Sequence, residues 1–174
     1  MDKPLIRPAA TADVPAITVI YAEAVRTGTA TFELEPPGEP EMAARLQALL
    51  EAGYPYFVAE NDGSVAGYAY AAAYRPRIGY RYTVEDSVYL APAARGLGIG
   101  GALLAKLIAS CEAAGFRQMI AVIGDSGNLA SIRLHAAAGF VPAGNFKDVG
   151  YKFERWIDTV LMQRALGKGS SAPP

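Results

Sequence analysis

Four stretches of this 174-residue chain space their apolar residues at helical intervals, and seven shorter ones alternate or cluster them as strands do. Leu5-Ile6-Arg7 predicts a first strand. DVPAITVIYAEAVR follows, with Val14, Ile17, Ile20, Tyr21 and Ala24 on one helical face, Thr11 as N-cap, and Asp13 and Pro15 in the first turn. TGTATFELEPPGEP reads as a loop, and EMAARLQALLEAG as a second helix closed by Gly53. YPYFVAEN and VAGYAYAAAY flank Asn61-Asp62-Gly63-Ser64, a hairpin signal. After the link RPRIGYRY, TVEDSVYLAP is a further strand. A third helix carries Leu103, Leu104, Leu107, Ile108 and Cys111 on one face, and RQMIAVIGD is the strand behind it. NLASIRLHAAAG is a fourth helix, and FVPAGNF and YKFERWIDTVLMQRAL supply the last two strands. The order β–α–α–β–β–β–α–β–α–β–β describes one mixed sheet with helices on its faces, an α/β domain over residues 1–166. GKGSSAPP, small and Pro-rich, reads as a flexible tail over 167–174.

Composition narrows the function classes. A net charge of −1 gives no electrostatic footprint for nucleic acid. No apolar run reaches membrane-spanning length, and MDKPLIRPAAT has no signal-like apolar stretch, so a cytoplasmic protein is expected. One cysteine and one histidine make a poor ligand set, so no metal is expected, and Cys111 reads as core.

The third helix opens unusually, with Gly96, Gly98, Gly100 and Gly101 crowded against its start. Each glycine inside a helix costs about 1 kcal/mol relative to alanine, so bare backbone must serve something else. Helix N-termini present unpaired N–H groups and a positive dipole end, and small residues let an anion approach them. The stretch reads as a phosphate cradle, with Arg95 adding charge. Gly96-x-Gly98-x-x-Gly101 formally fits a dinucleotide fingerprint, with Asp125 in place of its ribose-binding acid. That motif belongs in the tight turn after a strand of a βαβ unit, however, and here a Pro92-containing loop separates Leu90 from Gly96.

Arg95-x-x-Gly98-x-Gly100, between the strand EDSVYLAP and a helix, resembles the acyl-CoA pyrophosphate loop of the GNAT N-acetyltransferases. Asn128-x-x-Ser131 with Leu134-His135-x-x-x-Gly139-Phe140 resembles a second block of that family. TVEDSVYL, AVIGDSGNLASIRLH, GYKFERWIDTVLMQ, and IYAEAV with TATFELEPP are similar to the phosphinothricin and methionine sulfoximine acetyltransferases. The resemblance implies a mostly antiparallel sheet that splays at the acyl-CoA site. It further implies acetyl transfer from acetyl-CoA to the α-amino group of a small amino-acid-like acceptor, and a homodimer. The backbone of Val88, Tyr89 and Leu90 would bind the pantetheine arm. Arg95, Gly96, Leu97, Gly98, Ile99, Gly100 and Gly101 would hold the pyrophosphate, and Asn128, a good N-cap by itself, would add a contact to the arm.

Acetyl transfer requires a base for the amine, polarisation of the thioester carbonyl, and a proton for the departing thiolate. Glu85, in TVE, is the expected base, with ion pairing to a nearby arginine as its structural alternative. Asp86 falls on the opposite face of the strand and is expected at the surface or in a loop contact. The Val88 N–H is the expected polarising group. His135 is the candidate acid, or simply packs beside CoA. Arg75 and Arg77 would bind the acceptor's carboxylate and its phosphinate or sulfone group. Phe32 and Tyr80 would wall its methylenes. Tyr151, Lys152 and Trp156 would border the site, from a partner subunit. A non-catalytic acyl-CoA-binding domain, and an acetyltransferase for another amine, are the rival readings.

Overall fold

The computed structural model describes residues 4–174; residues 1–3, where the expected domain begins, lie outside the described residues. The chain runs β1 (Leu5–Pro8), α1 (Val14–Thr27), α2 (Glu39–Glu51), β2 (Tyr56–Asn61), β3 (Ser64–Ala73), β4 (Thr83–Leu90), α3 (Ile99–Ala113), β5 (Gln118–Gly124), α4 (Leu129–Ala137), β6 (Val141–Lys152) and β7 (Arg155–Ala165). This is the element order that periodicity predicts. The strands form one sheet in the order β1-β2-β3-β4-β5-β7-β6, antiparallel except for β4 with β5.

The sheet separates two apolar layers. On one face α3 buries Leu103, Leu104, Leu107 and Cys111 against Ala69, Val84, Met119 and Ala121. On the other, α1 and α2 bury Ile17, Tyr21, Val25, Met42 and Leu46 against Tyr56, Val58 and Tyr68. Side chains alternate across a strand, so β4 serves both layers: Val84, Val88 and Leu90 meet the α3 side, and Tyr89 meets Tyr21 of α1.

Three local details depart from the sequence reading. Asp13, not Thr11, sits at the start of α1; its carboxylate accepts from the Ala10 amide at 2.8 Å and pairs with Arg7 at 2.6 Å. The last hairpin turns at Phe153–Glu154, both in the left-handed region at φ 52° and 57°. This places Tyr151 and Lys152 on β6 rather than on the final strand. No glycine or asparagine marks that turn, and the β6–β7 ladder on either side holds it. Finally, the segment after β7 folds back on Arg117, whose guanidinium donates to the Gly169 and Pro173 carbonyls.

Candidate active site

Beta-strands 4 and 5 pair only from Thr83↔Gln118 to Asp86↔Ala121. Beyond Asp86, β4 stays with β3 through Leu90↔Gly67, while β5 stays with β7 through Gly124↔Thr159. The sheet therefore forks, and the β5-facing edge of β4 from Ser87 to Leu90 has no strand beside it. A cavity of about 610 Å³ opens there. Its walls are Val88, Tyr89 and Leu90 from the fork, Arg95, Gly96, Gly98, Gly100 and Gly101 from the loop and α3, Asn128, Ser131 and Leu134 from α4, and Gly28 to Ala30 after α1.

The glycines have separate reasons. Gly96 and Gly98 adopt φ of 77° and 78°, where a side chain is strained. Gly98 is the N-cap of α3, which turns the first free N–H groups of the helix toward the cavity. Gly100 is buried, and a Cβ there would stand 3.3 Å from the Leu90 side chain. Leu97 and Ile99 do not line the cavity. Leu97 is exposed and Ile99 is core. Asn128 is the N-cap of α4, its side chain accepting from the Ser131 amide at 3.2 Å, and it also lines the cavity. Asp125, at φ 75°, is paired with Arg155.

Glu85 precedes the fork by one pairing step. Its carboxyl is half-buried and has no hydrogen bond or ion pair among the described residues. Burial pushes it up to about 7, with the neighbouring Asp86 charge adding to the rise and Arg75 opposing it. Arg75 is exposed, stacked over Tyr74 at 5.1 Å, and reaches Glu85 only through its field. Arg77 lies exposed at the start of a one-turn 3-10 helix, and Tyr80, at its end, meets Tyr74 edge-on at 5.7 Å. Phe32 is 38% exposed and wedged over the hairpin: a Cβ at Gly150 would fall 2.1 Å from its ring. The structure thus brings Arg75 near Glu85 and leaves Arg77 in the same exposed link.

Asp86 corrects the sequence reading. It does lie on the face opposite Glu85, yet it is only 6% exposed, because α4 covers it. Its Oδ2 is 2.9 Å from His135 Nε2, and His135 Nδ1 is 2.8 Å from the Ser131 carbonyl. His135 therefore borders the fork with both ring nitrogens turned onto acceptors. Burial pushes the imidazole down, but the Asp86 hydrogen bond and charge, with the Ser131 carbonyl, outweigh it and raise it overall. The signal for Asp86 was present: a carboxylate in the apolar alternation of Val84, Val88 and Leu90 must find a buried partner.

Lys152 also departs from an exposed border residue. It is 3% exposed, and its ammonium donates to the Gly28 and Thr31 carbonyls, both at 2.9 Å. It ties the end of the hairpin to the segment that walls the cavity. Sequence reasoning missed a neighbouring network as well, in which Arg45 of α2 pairs with Glu33 at 2.7 Å and Tyr21 donates to Glu33 at 2.9 Å. Nothing local in the sequence couples those three positions.

Comparison with known proteins agrees with this geometry. Residues 20–140 match the model of the Acetyltransferase (GNAT) family, and the chain belongs to that family. It is 62% identical over 162 residues to a phosphinothricin N-acetyltransferase of Alcaligenes faecalis, covering 93% of this chain and 82% of that protein. It is 43% identical over 169 residues to an L-methionine sulfoximine/L-methionine sulfone acetyltransferase of Pseudomonas aeruginosa, covering 97% and 98%. The crystal structure of a GNAT superfamily phosphinothricin acetyltransferase from Sinorhizobium meliloti in complex with AcCoA superposes with a TM-score of 0.97 at 51% identity, covering 99% of this chain and 94% of that one.

Proposed function

We propose that this protein transfers the acetyl group of acetyl-CoA to the α-amino group of a small amino acid bearing a second oxyanionic or strongly polar head: phosphinothricin, methionine sulfoximine or methionine sulfone. The acyl-CoA arm enters the fork and adds itself to the free edge of β4, with its diphosphate on the amides at the start of α3. Glu85 takes a proton from the acceptor ammonium, and the freed amine bonds to the acetyl carbonyl carbon. The Val88 amide polarises the carbonyl oxygen, the C–S bond breaks, and the amide nitrogen gives up its second proton, which water relays to the departing CoA thiolate; the proton on Glu85 returns to solvent. Arg75 and Arg77 hold the acceptor's anionic groups, and Phe32 and Tyr80 border its methylenes.

One observation carries this reading: along a single strand, an unpaired carboxyl with an affinity for protons near neutrality stands one step before the opening of the sheet. A base of that strength suits proton removal from an ammonium at physiological pH. Thiol release from acetyl-CoA tests it, with methionine sulfone, methionine sulfoximine, phosphinothricin and spermidine as acceptors. Turnover with the first three and not with spermidine is expected. Binding of acetyl-CoA with no thiol release from any acceptor would identify a binding domain instead.

The protein works, on this reading, as a cytoplasmic homodimer. The last hairpin exposes Phe146, Val149 and Tyr151 on β6, the outer edge of the sheet, Phe153 in the turn and Trp156 at the start of β7, each at least 50% accessible. Exposed apolar and aromatic side chains along an edge strand are suited to a second copy of the chain. Sedimentation should give twice the chain mass, and Trp156→Asp should lower it to one.

A further inference from the structure

The two arms of the fork lose their main-chain link at Asp86↔Ala121, and a side-chain link takes over at the same point. Asp86 belongs to β4. His135 belongs to α4, which follows β5 after a four-residue connection. Their contact at 2.9 Å therefore spans the opening. A carbonyl oxygen only accepts, so Nδ1, 2.8 Å from the Ser131 carbonyl, carries a proton. Nε2 faces a carboxylate oxygen, so it also donates when Asp86 is ionised. An imidazole with two N–H groups is a cation. Both residues are almost fully buried, and a buried charge persists only when paired this closely.

The pair leaves one acceptor oxygen without a donor. Asp86 Oδ1 is buried and has no hydrogen-bond partner among the described residues. Asp86 and His135 line a smaller cavity of about 40 Å³ at the base of the fork, with Ser87, Val88 and Ala121, adjoining the larger one. That volume accommodates a water, which needs roughly 10–15 Å³. An acceptor oxygen left without a donor costs about 1–3 kcal/mol, so the site is built to receive one.

We propose that Asp86 and His135 form a carboxylate–imidazolium latch across the fork, a positioning pair that sets the spacing of its arms for the acyl-CoA chain and presents Asp86 Oδ1 to a water at its base. His135 is then a structural cation rather than the acid that neutralises the thiolate. The remaining groups around the pair do not compete for this role. Glu85 points to the other face of the sheet, the Cys111 thiol of α3 is pushed up to about 12 by burial and by Asp86, and Phe140 sets its ring edge-on to the imidazole at 5.1 Å. The proposal rests on the assignment of the fork to acyl-CoA.

His135 is the chain's single histidine, so its ring nitrogens are directly assignable by NMR in the unliganded wild-type protein. Both nitrogens should carry protons at pH 7, with titration above the ordinary histidine value. In Asp86→Asn the ring should become neutral with its proton on Nδ1. The KM for acetyl-CoA should rise about tenfold, the scale of one charge-assisted hydrogen bond, with a smaller change in kcat. The acid limb of the rate profile, set by Glu85, should move to lower pH, because a neighbouring like charge has gone. Asp86→Asn/His135→Asn should be no worse in KM than either single variant. A wild-type ring with one proton at pH 7 overturns the latch even if no variant folds. An Asp86→Asn enzyme with unchanged KM and pH profile overturns its positioning role. Wild-type protein that shows the doubly protonated ring but no heat on titration with acetyl-CoA would remove the function assignment and leave the ion pair standing.

Discussion

On the α3 and α4 side of the fork, the cavity wall is largely main chain: the free edge of β4, the Gly96–Gly101 loop and the first amides of α3. The residues proposed for the acceptor are instead side chains carried by separate segments: Arg75 and Arg77 on the link before β4, with the Arg75 charge acting on Glu85, and Phe32 on the loop after α1, packed against the hairpin at Gly150. The first wall needs few residue identities beyond glycine, because any residue supplies an N–H. The second depends on which side chain stands at each position. On the proposed function, a cosubstrate common to the family meets the first wall and a particular acceptor the second.

That contrast can be broken by experiment. Glu85→Gln should lower kcat by about 10²–10⁴-fold while acetyl-CoA affinity by calorimetry stays within twofold. In the wild type, kcat/KM should fall tenfold per pH unit below about 7, because the raised carboxyl is ionised only above that value. The limb should vanish in the variant. The same shift makes the fold favour the protonated residue, so at this position stability falls as pH rises from the ordinary glutamate range through 7. Retained turnover in Glu85→Gln would move the base elsewhere.

Arg75→Ala should raise the acceptor KM about tenfold and leave that for acetyl-CoA unchanged. Equal effects on both would erase the distinction between the two walls. Gly98→Val should do the reverse. A side chain at φ 78° costs about 1–2 kcal/mol, enough to weaken acetyl-CoA binding about tenfold with little effect on acceptor KM. Lys152 ties the hairpin to the loop after α1, and Lys152→Met should show the smallest kinetic effect. It strands the Gly28 and Thr31 carbonyls, for a loss of about 2 kcal/mol and a fall in Tm of about 4–8 °C by calorimetry. An unchanged Tm would mean that the loop after α1 holds itself.

Much of this was legible in the residues. Periodicity of 3.6 and of 2 is a local property, and it predicts the eleven elements in order. The glycine-rich loop is local too, since Gly96 and Gly98 take positive φ within one loop and one helix end. Glu85 was legible as a carboxyl in a central strand. What stayed hidden joins positions far apart in the chain. Asp86 meets His135 across 49 residues, and Lys152 meets Thr31 across 121. Arg45 of α2 reaches back to Glu33 in the loop that precedes the helix. The Phe153–Glu154 turn carries none of the residues that normally announce positive φ, because the ladder on both sides enforces it.

The sequence alone determined the layers, the order of the strands along the chain and the glycine-rich opening of α3, because each depends on short-range spacing and on the conformational freedom of glycine. Only the tertiary structure decided where the sheet divides, which carboxyl of Glu85–Asp86 stays unpaired, and which is locked to a histidine. Adjacent residues on a strand face opposite layers, so their environments, and with them their charge states, are set by whatever the rest of the fold brings to each side.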